Sequence, residues 1–529
     1  MAIRIKPALL AIATRLHRVG LMRPVFWASW LLWRISGRTR LTASIAFWSA
    51  LLTDRLDHAA VIQGYAASMP DRAGSHAWAA RAGRALEDRS PVDPEMIRAG
   101  VPARSPRRAA PAGVELAYVL ASSLPHLQSG YAQRADRLAR ALLRAGTTLY
   151  CVTRPGFPDD VTGLTATPQA DGPMDGAAPV WHRIAQPTLR DLVGVPYIMA
   201  AADALEEVLR QRDPAVVMAA SSYLTALPAL IAARRLGVPF LYEVRGFWEV
   251  TRASRTPGYD QSLRFRNAVA LETLTAQEAD RVLTLNRPMR QELIRRGVEA
   301  SSIGLLSNAF DPSSFTLRPR DAALCDRYGL PEGVPVLGFA GSFTAYEGLD
   351  DLIVACGLLK QRGLDFRLVL VGDEVQYSDV ATSLLSRLKS LVAAHDLQGR
   401  VVLPGRVPAP EVPRWYSVFD IAPFPRKPMA VAELVPPLKP VEAMGMGKAV
   451  IASDVGALAD LVQDGVTGLL FAKGDVVALA NGLERLLRDP QLRARLGANG
   501  REWARANRTW DTVAASLRRV VAELIRDPR

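Results

Sequence analysis

The 529-residue chain has little cysteine and little histidine. Its three cysteines, Cys151, Cys325 and Cys356, are odd in number and far apart, and none lies in a Cys-x-x-Cys pair. This pattern indicates neither a disulfide framework nor a zinc site, and it fits a reducing compartment. The six histidines lack the spacing of metal ligands, and no Asp-x-Asp motif governs the loops after the predicted strands. We therefore expect no metal and no cofactor.

Acidic residues are absent from the first 53 positions, which carry eight basic residues. Residues 1–112 hold 17 Lys or Arg and 7 Asp or Glu, a difference of +10, which leaves +3 of the net charge of +13 for the rest. Phe26, Trp30 and Trp33 would share one face of a helix. A basic helix with such a face is typical of a segment in the membrane interface. A helical domain that packs these aromatics against the protein itself stays open, and we expect no nucleic-acid partner.

No hydrophobic run near the N-terminus is long enough to cross a bilayer. The run Pro24–Trp33 is short and is bracketed by Arg23 and Arg34. Arg15 and Arg18 interrupt the preceding apolar stretch, which argues against a secretory signal. We expect a cytoplasmic protein with a peripheral contact to the inner face of the cytoplasmic membrane through residues 1–53.

The composition, with 49% hydrophobic and 22% charged residues, is that of a globular protein. A chain of this length is too long for one core, so two or three domains are expected. Residues 1–100 form a basic helical region in this interpretation, with helices over Thr42–Leu56 and Trp78–Glu87. Residues 101–113 have the proline-rich and arginine-rich composition of a flexible linker.

Apolar strands alternate with helical stretches from residue 114 onwards. The first series of predicted strands is Glu115–Leu120, Thr147–Thr153, Ala215–Ala219, Phe240–Val244, Arg281–Leu285 and Ile303–Leu306. The second series is Val336–Phe339, Phe366–Val371, Val401–Leu403, Ile421–Ala422, Ala449–Ala452 and Gly468–Phe471. This pattern predicts an α/β fold with two doubly wound parallel sheets facing a cleft, with ligands at the carboxyl ends of the strands. The amphipathic terminal helix could pack against either domain.

The most informative stretch is Ala432–Gly456, a proline-rich loop that runs into a short helix and then a buried strand. It carries two carboxylates, Glu433 and Glu442, with Lys439 between them. A loop that opens into a helix N-terminus suits phosphate, because its backbone N–H groups are unpaired. Carboxylates make strong hydrogen bonds with neutral hydroxyl groups and so suit a sugar. Phosphate and polyol together indicate a nucleotide-sugar.

Further candidates follow other strands of the second series. Gly341 and Ser342 lie in a loop where glycine allows a ligand to approach the backbone, although such a glycine also fits a plain tight turn. Arg426 and Lys427 lie in a loop whose dense charges and prolines favour a binding function. Gly456 opens a helix with small residues that leave room for a ligand.

Two loops of the first series also carry candidate residues. Gly130 would let its loop reach into the cleft, and His126 is a candidate base or hydrogen-bond donor on the acceptor side. Arg245 follows a strand that also contains Glu243, and buried charges are costly unless paired. We therefore predict that Arg245 faces the cleft and acts in catalysis, with Trp248 as a sugar-stacking residue or pocket wall. An internal Arg–Glu ion pair is the alternative.

These motifs together resemble the retaining glycosyltransferases of family 4, which have the GT-B fold. The resemblance covers about residues 114–525 and is carried in the second series by Gly341–Gly348, Glu433 with Glu442, Gly447–Gly456 and Asp464–Phe471. In the first series it is carried by Leu124–Arg134, Thr153–Pro158 and Tyr242–Glu249, which look like the branch in bacterial exopolysaccharide and exosortase-associated gene sets.

The resemblance implies two Rossmann-like domains, an acceptor-side domain at 114–311 and a nucleotide-sugar-binding domain at 312–510, before a terminal helix at 511–529. Glu442 would hold the ribose hydroxyls and Glu433 the donor sugar. Lys439 with the Gly341 loop would face the diphosphate, and Gly130 would approach it from the other domain.

The sequence departs from the family pattern at the diphosphate. The two glutamates, Glu433 and Glu442, enclose eight residues instead of seven. Ser342 and Glu347 stand where the family often has arginine and lysine. The diphosphate charge would then be met by cations elsewhere, namely Lys439, Arg426, Lys427 or Arg245.

The expected activity is a metal-independent transfer of a hexose, with retention, from a nucleotide-sugar to a glycan or polyprenyl-diphosphate-linked acceptor in surface polysaccharide synthesis. A nucleotide-sugar 2-epimerase of the same fold is one alternative. A catalytically inactive sugar-nucleotide-binding scaffold is the other, because Ser342 and Glu347 replace the family's cations.

Overall fold

The computed structural model describes residues 92–104, 114–127, 129–161, 179–374 and 383–526. Before residue 92 it describes only Trp30, Ala46, Phe47, Ala50, Ala59 and residues 61–63. Most of the predicted helix Thr42–Leu56, the whole of the predicted helix Trp78–Glu87 and most of the predicted membrane contact therefore lie outside the described residues. Within them, no helix combines the length and the hydropathy that crossing a bilayer requires.

The first half of the described chain forms a seven-stranded sheet. Its strands are β1 (Leu116–Leu120), β2 (Leu149–Thr153), β3 (Trp181–His182), β4 (Val216–Ala220), β5 (Phe240–Val244), β6 (Arg281–Thr284) and β7 (Ile303–Leu305). Its helices are α1 (Pro94–Gly100), α2 (Gly130–Arg144), α3 (Gly194–Arg212), α4 (Tyr223–Leu236), α5 (Trp248–Ala253), α6 (Leu263–Glu278) and α7 (Arg287–Arg295). All strand pairs are parallel, in the order β3-β2-β1-β4-β5-β6-β7.

The second half forms a six-stranded parallel sheet in the order β10-β9-β8-β11-β12-β13. Its strands are β8 (Val336–Ala340), β9 (Arg367–Val371), β10 (Val401–Gly405), β11 (Ile421–Phe424), β12 (Ala449–Ser453) and β13 (Leu469–Phe471). Its helices are α8 (Ala322–Tyr328), α9 (Leu349–Gln361), α10 (Leu384–Ala394), α11 (Val412–Val418), α12 (Ala430–Leu434), α13 (Lys439–Gly445), α14 (Gly456–Ala459), α15 (Val476–Arg488), α16 (Pro490–Asn507) and α17 (Trp510–Arg526).

We call the first sheet with its helices the N-lobe and the second the C-lobe. Each sheet is covered on both faces, because its central strands are apolar along their whole length and exclude water only when both sides are packed. The two doubly wound domains predicted from the sequence are confirmed.

The last helix, α17, returns to the N-lobe. Leu517 and Val521 are buried there together with Leu138 and Leu142 of α2. The apolar stripe of α17 thus completes the covering of the N-lobe sheet, which decides between the two packing options that the sequence left open.

Candidate functional site

The two lobes meet through the loop that connects β11 to α13. Val431 of this loop is buried within the core of the N-lobe. Asn286 donates a hydrogen bond of 2.9 Å to the carbonyl oxygen of Leu434, and Asn308 donates one of 2.8 Å to that of Pro436. The proline-rich loop is therefore held by N-lobe side chains at the carboxyl ends of β6 and β7.

Lys439 lies at the start of α13, directly against the glycine loop after β8. Its Nζ donates to Glu347 Oε1 at 2.9 Å and lies 4.7 Å from the centre of the Phe339 ring. A Cβ on Gly341 would overlap the end of the Lys439 side chain. The lysine can therefore occupy this position only because residue 341 is glycine. The structure thus brings Lys439 and Gly341 together, as the phosphate-site hypothesis requires.

Glu347 is the centre of a buried cluster of charges, which we call the Glu347 cluster: Glu347, Lys439 and Arg426. Arg426 donates to the same Oε1 at 3.2 Å and to the carbonyl oxygen of Val435 at 2.7 Å. Burial by itself would raise the pKa of Glu347, but Arg426 and Lys439 outweigh it and lower the pKa to about 2. Two cations and one anion leave the cluster with a net positive charge.

Lys427 and Ser342 do not belong to the Glu347 cluster. Lys427 donates to Asp350 at 2.7 Å and lies 3.4 Å from Asp351, in the first turn of α9. Ser342, the second residue of the Gly341 loop, is exposed. Lys427 is therefore held by carboxylates of its own lobe.

Glu442 lies one helical turn after Lys439 and reaches the other lobe. Arg137 of α2 donates to Glu442 Oε1 at 2.9 Å, and the two side chains are 21% and 11% exposed. The Arg137 guanidinium also lies 5.7 Å from the centre of the Phe315 ring. Glu442 thus lies in the interface between the lobes, as its predicted position requires.

Glu433 occupies α12 and contacts the start of α14. Its Oε2 accepts a hydrogen bond of 2.7 Å from the backbone N–H of Gly456, and its Oε1 accepts one of 2.6 Å from Lys473. A carboxylate at a helix N-terminus is electrostatically favourable, because the helix dipole is positive there. Glu433 and Gly456, two predicted site residues, are thus adjacent.

The N-lobe side of the interface contains a fully buried ion-pair network. Glu243 accepts hydrogen bonds from Arg134 at 2.8 Å, from Arg245 at 2.8 Å and from the Tyr118 hydroxyl at 2.6 Å. Burial raises the pKa of Glu243 and lowers that of Arg245 to about 9. Arg245, 3% exposed, therefore forms the internal ion pair and not the predicted contact with the cleft, because a buried guanidinium is stabilised by a buried carboxylate. Arg134 also donates to Asn308 Oδ1 at 3.1 Å.

Aromatic side chains lie beside this network. Trp248 is 40% exposed and stacks on Tyr131, with the ring centres 4.8 Å apart. Gly130 is exposed at the first position of α2, after the cap Ser129. His126 lies in a turn, and its ring makes an edge-to-face contact with the Phe157 ring, with the ring centres 6.2 Å apart.

Sequence reasoning missed Arg137 and Lys473, and it noted Glu347 only as a departure from the family pattern. Arg137 and Lys473 carry no local signal, since their partners lie 305 and 40 residues away in the sequence. The signal for Glu347 was available, because a lone acidic residue in a phosphate loop needs neutralisation.

Two surface cavities, of about 550 Å³ and 700 Å³, contain none of the predicted site residues. The first lies between the lobes beside α16 and α17, lined by Arg287, Asp460 and Arg508 among others. Within the described part of the chain, no three His, Cys, Asp or Glu side chains are grouped as metal ligands.

Two family models match the chain, one on each lobe. The family described as "Glycosyl transferases group 1" matches residues 323–503, and "Glycosyl transferase 4-like domain" matches residues 129–309. The first matched region contains the Glu347 cluster, and the second contains Arg134, Glu243 and Arg245 of the buried network.

Several glycosyltransferases are similar in sequence. The 2-deoxystreptamine glucosyltransferase of Streptomyces kanamyceticus is 31% identical over 69% of this chain and 92% of its own length. The D-inositol 3-phosphate glycosyltransferase of Xylanimonas cellulosilytica is 27% identical over 73% of this chain and 89% of its own. The amylovoran biosynthesis glycosyltransferase AmsK of Erwinia amylovora is 32% identical, but over only 39% of this chain and 47% of its own.

Solved structures share the fold. Sucrose-phosphate synthase from Thermosynechococcus elongatus superposes with a TM-score of 0.61 at 22% identity, over 78% of this chain and 99% of its own. Anabaena HepE in complex with UDP and glucose superposes with a TM-score of 0.59 at 17% identity, over 77% of this chain and 100% of its own. At these identities the likeness concerns the fold alone.

Proposed function

The chain belongs to the group 1 glycosyltransferases and has the GT-B fold, and from that premise we propose its reaction in more detail. It transfers a hexose from a nucleotide-diphosphate sugar to a glycan or lipid-linked acceptor, with retention of the anomeric configuration. The observation that carries this proposal is the placing of Lys439 and Glu442 one turn apart on α13, at the interface of the lobes. One side chain suits a phosphate and the other a pair of ribose hydroxyls.

The charge of the Glu347 cluster supports a diphosphate beside Lys439. Glu347 neutralises one of the two cations, and the net positive charge that remains lies against the Gly341 loop. Fixed charges in a water-poor cleft stabilise a leaving group strongly, because they need no reorganisation during the reaction. In this proposal the departing diphosphate is stabilised by protein cations, and its own oxygen accepts the proton of the acceptor hydroxyl.

Retention follows, in this proposal, from an oxocarbenium-like transition state in which the acceptor attacks on the face that the diphosphate leaves. In this proposal Glu433, which accepts a hydrogen bond from the backbone N–H of Gly456, contacts the donor sugar. Approach of the two lobes would exclude water, which otherwise competes with the acceptor. Such an approach is supported by the proline-rich loop of the C-lobe, because Asn286 and Asn308 of the N-lobe donate hydrogen bonds to its carbonyl oxygens.

Two observations concern the acceptor. The basic first 53 residues favour a contact with an anionic membrane surface and hence a polyprenyl-diphosphate-linked acceptor at the inner face of the cytoplasmic membrane. The likeness to an amylovoran biosynthesis enzyme favours a role in surface polysaccharide synthesis.

A donor panel tests the proposal. The protein is mixed with UDP-, GDP-, ADP- and TDP-sugars, and its melting temperature is measured. A donor at 100 times its Kd stabilises the native state by about 2.7 kcal/mol, so one member of the panel is expected to raise the melting temperature clearly. A panel without any shift would contradict the proposal.

The donor so identified is then incubated with acceptor extracts, and the anomeric configuration of the product is read by NMR. An α-linked product from an α-linked donor is the expected result, and inversion would refute retention. Release of an epimerised nucleotide-sugar from donor alone would instead favour the 2-epimerase. Binding without turnover across all extracts would favour the inactive scaffold.

A further inference from the structure

Arg137 connects the two lobes at the candidate nucleoside site. It belongs to α2 of the N-lobe, whereas its partner Glu442 belongs to α13 of the C-lobe. We propose that Arg137 is a positioning residue, which orients the Glu442 carboxylate toward the ribose diol of the donor and makes donor binding depend on the approach of the lobes. This inference rests on the proposed function, because it assigns the nucleoside to Glu442.

The pairing engages only one of the two carboxylate oxygens. Arg137 Nη1 donates to Glu442 Oε1 at 2.9 Å, and no described residue donates a hydrogen bond to Oε2. A carboxylate has about four acceptor positions, so Oε2 can accept from a ribose hydroxyl while Oε1 keeps its arginine. The pair therefore does not have to break when a nucleotide binds.

Arg137 is itself held in a defined place. Its guanidinium lies over the ring of Phe315, which is 3% exposed and belongs to the segment between the lobes. Phe310 of the same segment packs against Gly445 at the end of α13 so closely that a Cβ there would overlap its ring. Arg137 and α13 are thus fixed by the same connecting segment, which gives the ion pair one preferred geometry.

The arrangement has a consequence for affinity. When the lobes separate, Glu442 loses Arg137, and its carboxylate is free to change rotamer. The ribose diol then meets a less ordered carboxylate, and some of the binding free energy is used to order that carboxylate. Donor affinity is therefore highest in the arrangement seen here.

The test compares three variants by steady-state kinetics with the donor identified in the panel. Arg137→Met removes the charge but keeps the length of the side chain, and Arg137→Lys keeps a charged donor. Arg140→Met is the matched control, because Arg140 lies on the same helix and pairs with Asp136 at 2.8 Å within the N-lobe. Hydrogen bonds to charged groups contribute enough that we expect R137M to raise the donor KM roughly 10- to 100-fold.

The expected pattern is a large rise in KM with kcat little changed for R137M, substantial rescue by R137K and no change for R140M. A purely structural role would lower the melting temperature and the active fraction without changing the donor KM. Equal donor KM in wild type and R137M, or a lower KM in R137M, would overturn the inference alone. A wild-type chain that binds no nucleotide at all would remove the proposed function, and this inference with it.

Discussion

Replacing Glu347 with glutamine tests the physical account of the phosphate loop. The substitution keeps the shape of the side chain but removes the only anion of the Glu347 cluster. Arg426, whose side chain is 5% exposed, would then be buried beside Lys439 without a counter-charge. Breaking a buried ion pair in this way is strongly destabilising, because the remaining charge stays desolvated.

The magnitude follows from the pKa of Glu347, which is lowered from the ordinary value of 4.5 to about 2. A depression of this size corresponds to about 3 kcal/mol of stabilisation of the native state. The unfolded chain binds the proton more tightly, so the contribution is fully present above about pH 4.5 and is lost as the pH falls toward about 2. The glutamine variant lacks this pH-dependent contribution.

The assay is the melting temperature of wild type and E347Q from pH 7 down to pH 3. For a lobe of about 200 residues, 3 kcal/mol corresponds to a decrease of roughly 6–12 °C at pH 7. The difference is expected to shrink steadily below about pH 4.5. Glu502→Gln, at an exposed position of α16, is the control and is expected to melt like wild type. An unchanged melting temperature of E347Q at pH 7, or a deficit independent of pH, would refute the reasoning.

Three further predictions concern the site and the fold. Glu442→Ala is expected to abolish transfer while Glu502→Ala does not, as measured by product formation; full activity of the first variant would remove the site assignment. Gly341→Ala is expected to displace Lys439 and weaken donor binding in a titration, whereas Gly399→Ala, where a Cβ has open space, is expected to bind normally. Leu517→Ala is expected to cost about 2–5 kcal/mol in a denaturation experiment, because this α17 side chain is fully buried in the N-lobe, and a cost near zero would contradict that packing.

The strand positions could be predicted from the sequence wherever an apolar run was long enough. The prediction for Phe240–Val244 matches β5 at both ends, and most other strands agree within one or two residues. β3 was missed because it contains only Trp181 and His182, too few residues to show a pattern.

The prediction ended β11 too early, at Ala422, whereas the strand continues through Pro423 to Phe424. A proline inside a central strand is unusual, since it cannot donate to the ladder. Here β11 pairs with β8 only at Ile421, while its pairing with β12 includes Pro423. Pro423 thus lies two residues beyond the position at which β11 pairs with β8.

The candidate site, like the strands, could be predicted from the sequence only in part. The residue types in the stretch Ala432–Gly456 indicated a phosphate and a polyol without any structure, because this chemistry depends on local composition. The roles assigned to Lys439, Glu433 and Glu442 remain predictions. Glu442 contacts the other lobe, as its role requires, and Lys439 and Glu433 lie on the same segment, next to Glu347 and Gly456 respectively.

The sequence by itself determined two doubly wound lobes, since the period of apolar residues and the turns between strands are local properties of a chain. Only the tertiary structure decided which charges pair. Arg137 meets Glu442 across 305 residues, and Arg426 meets Glu347 across 79. Electrostatic pairing depends on distance in space and on burial, and both are set only when the chain has packed into its tertiary structure.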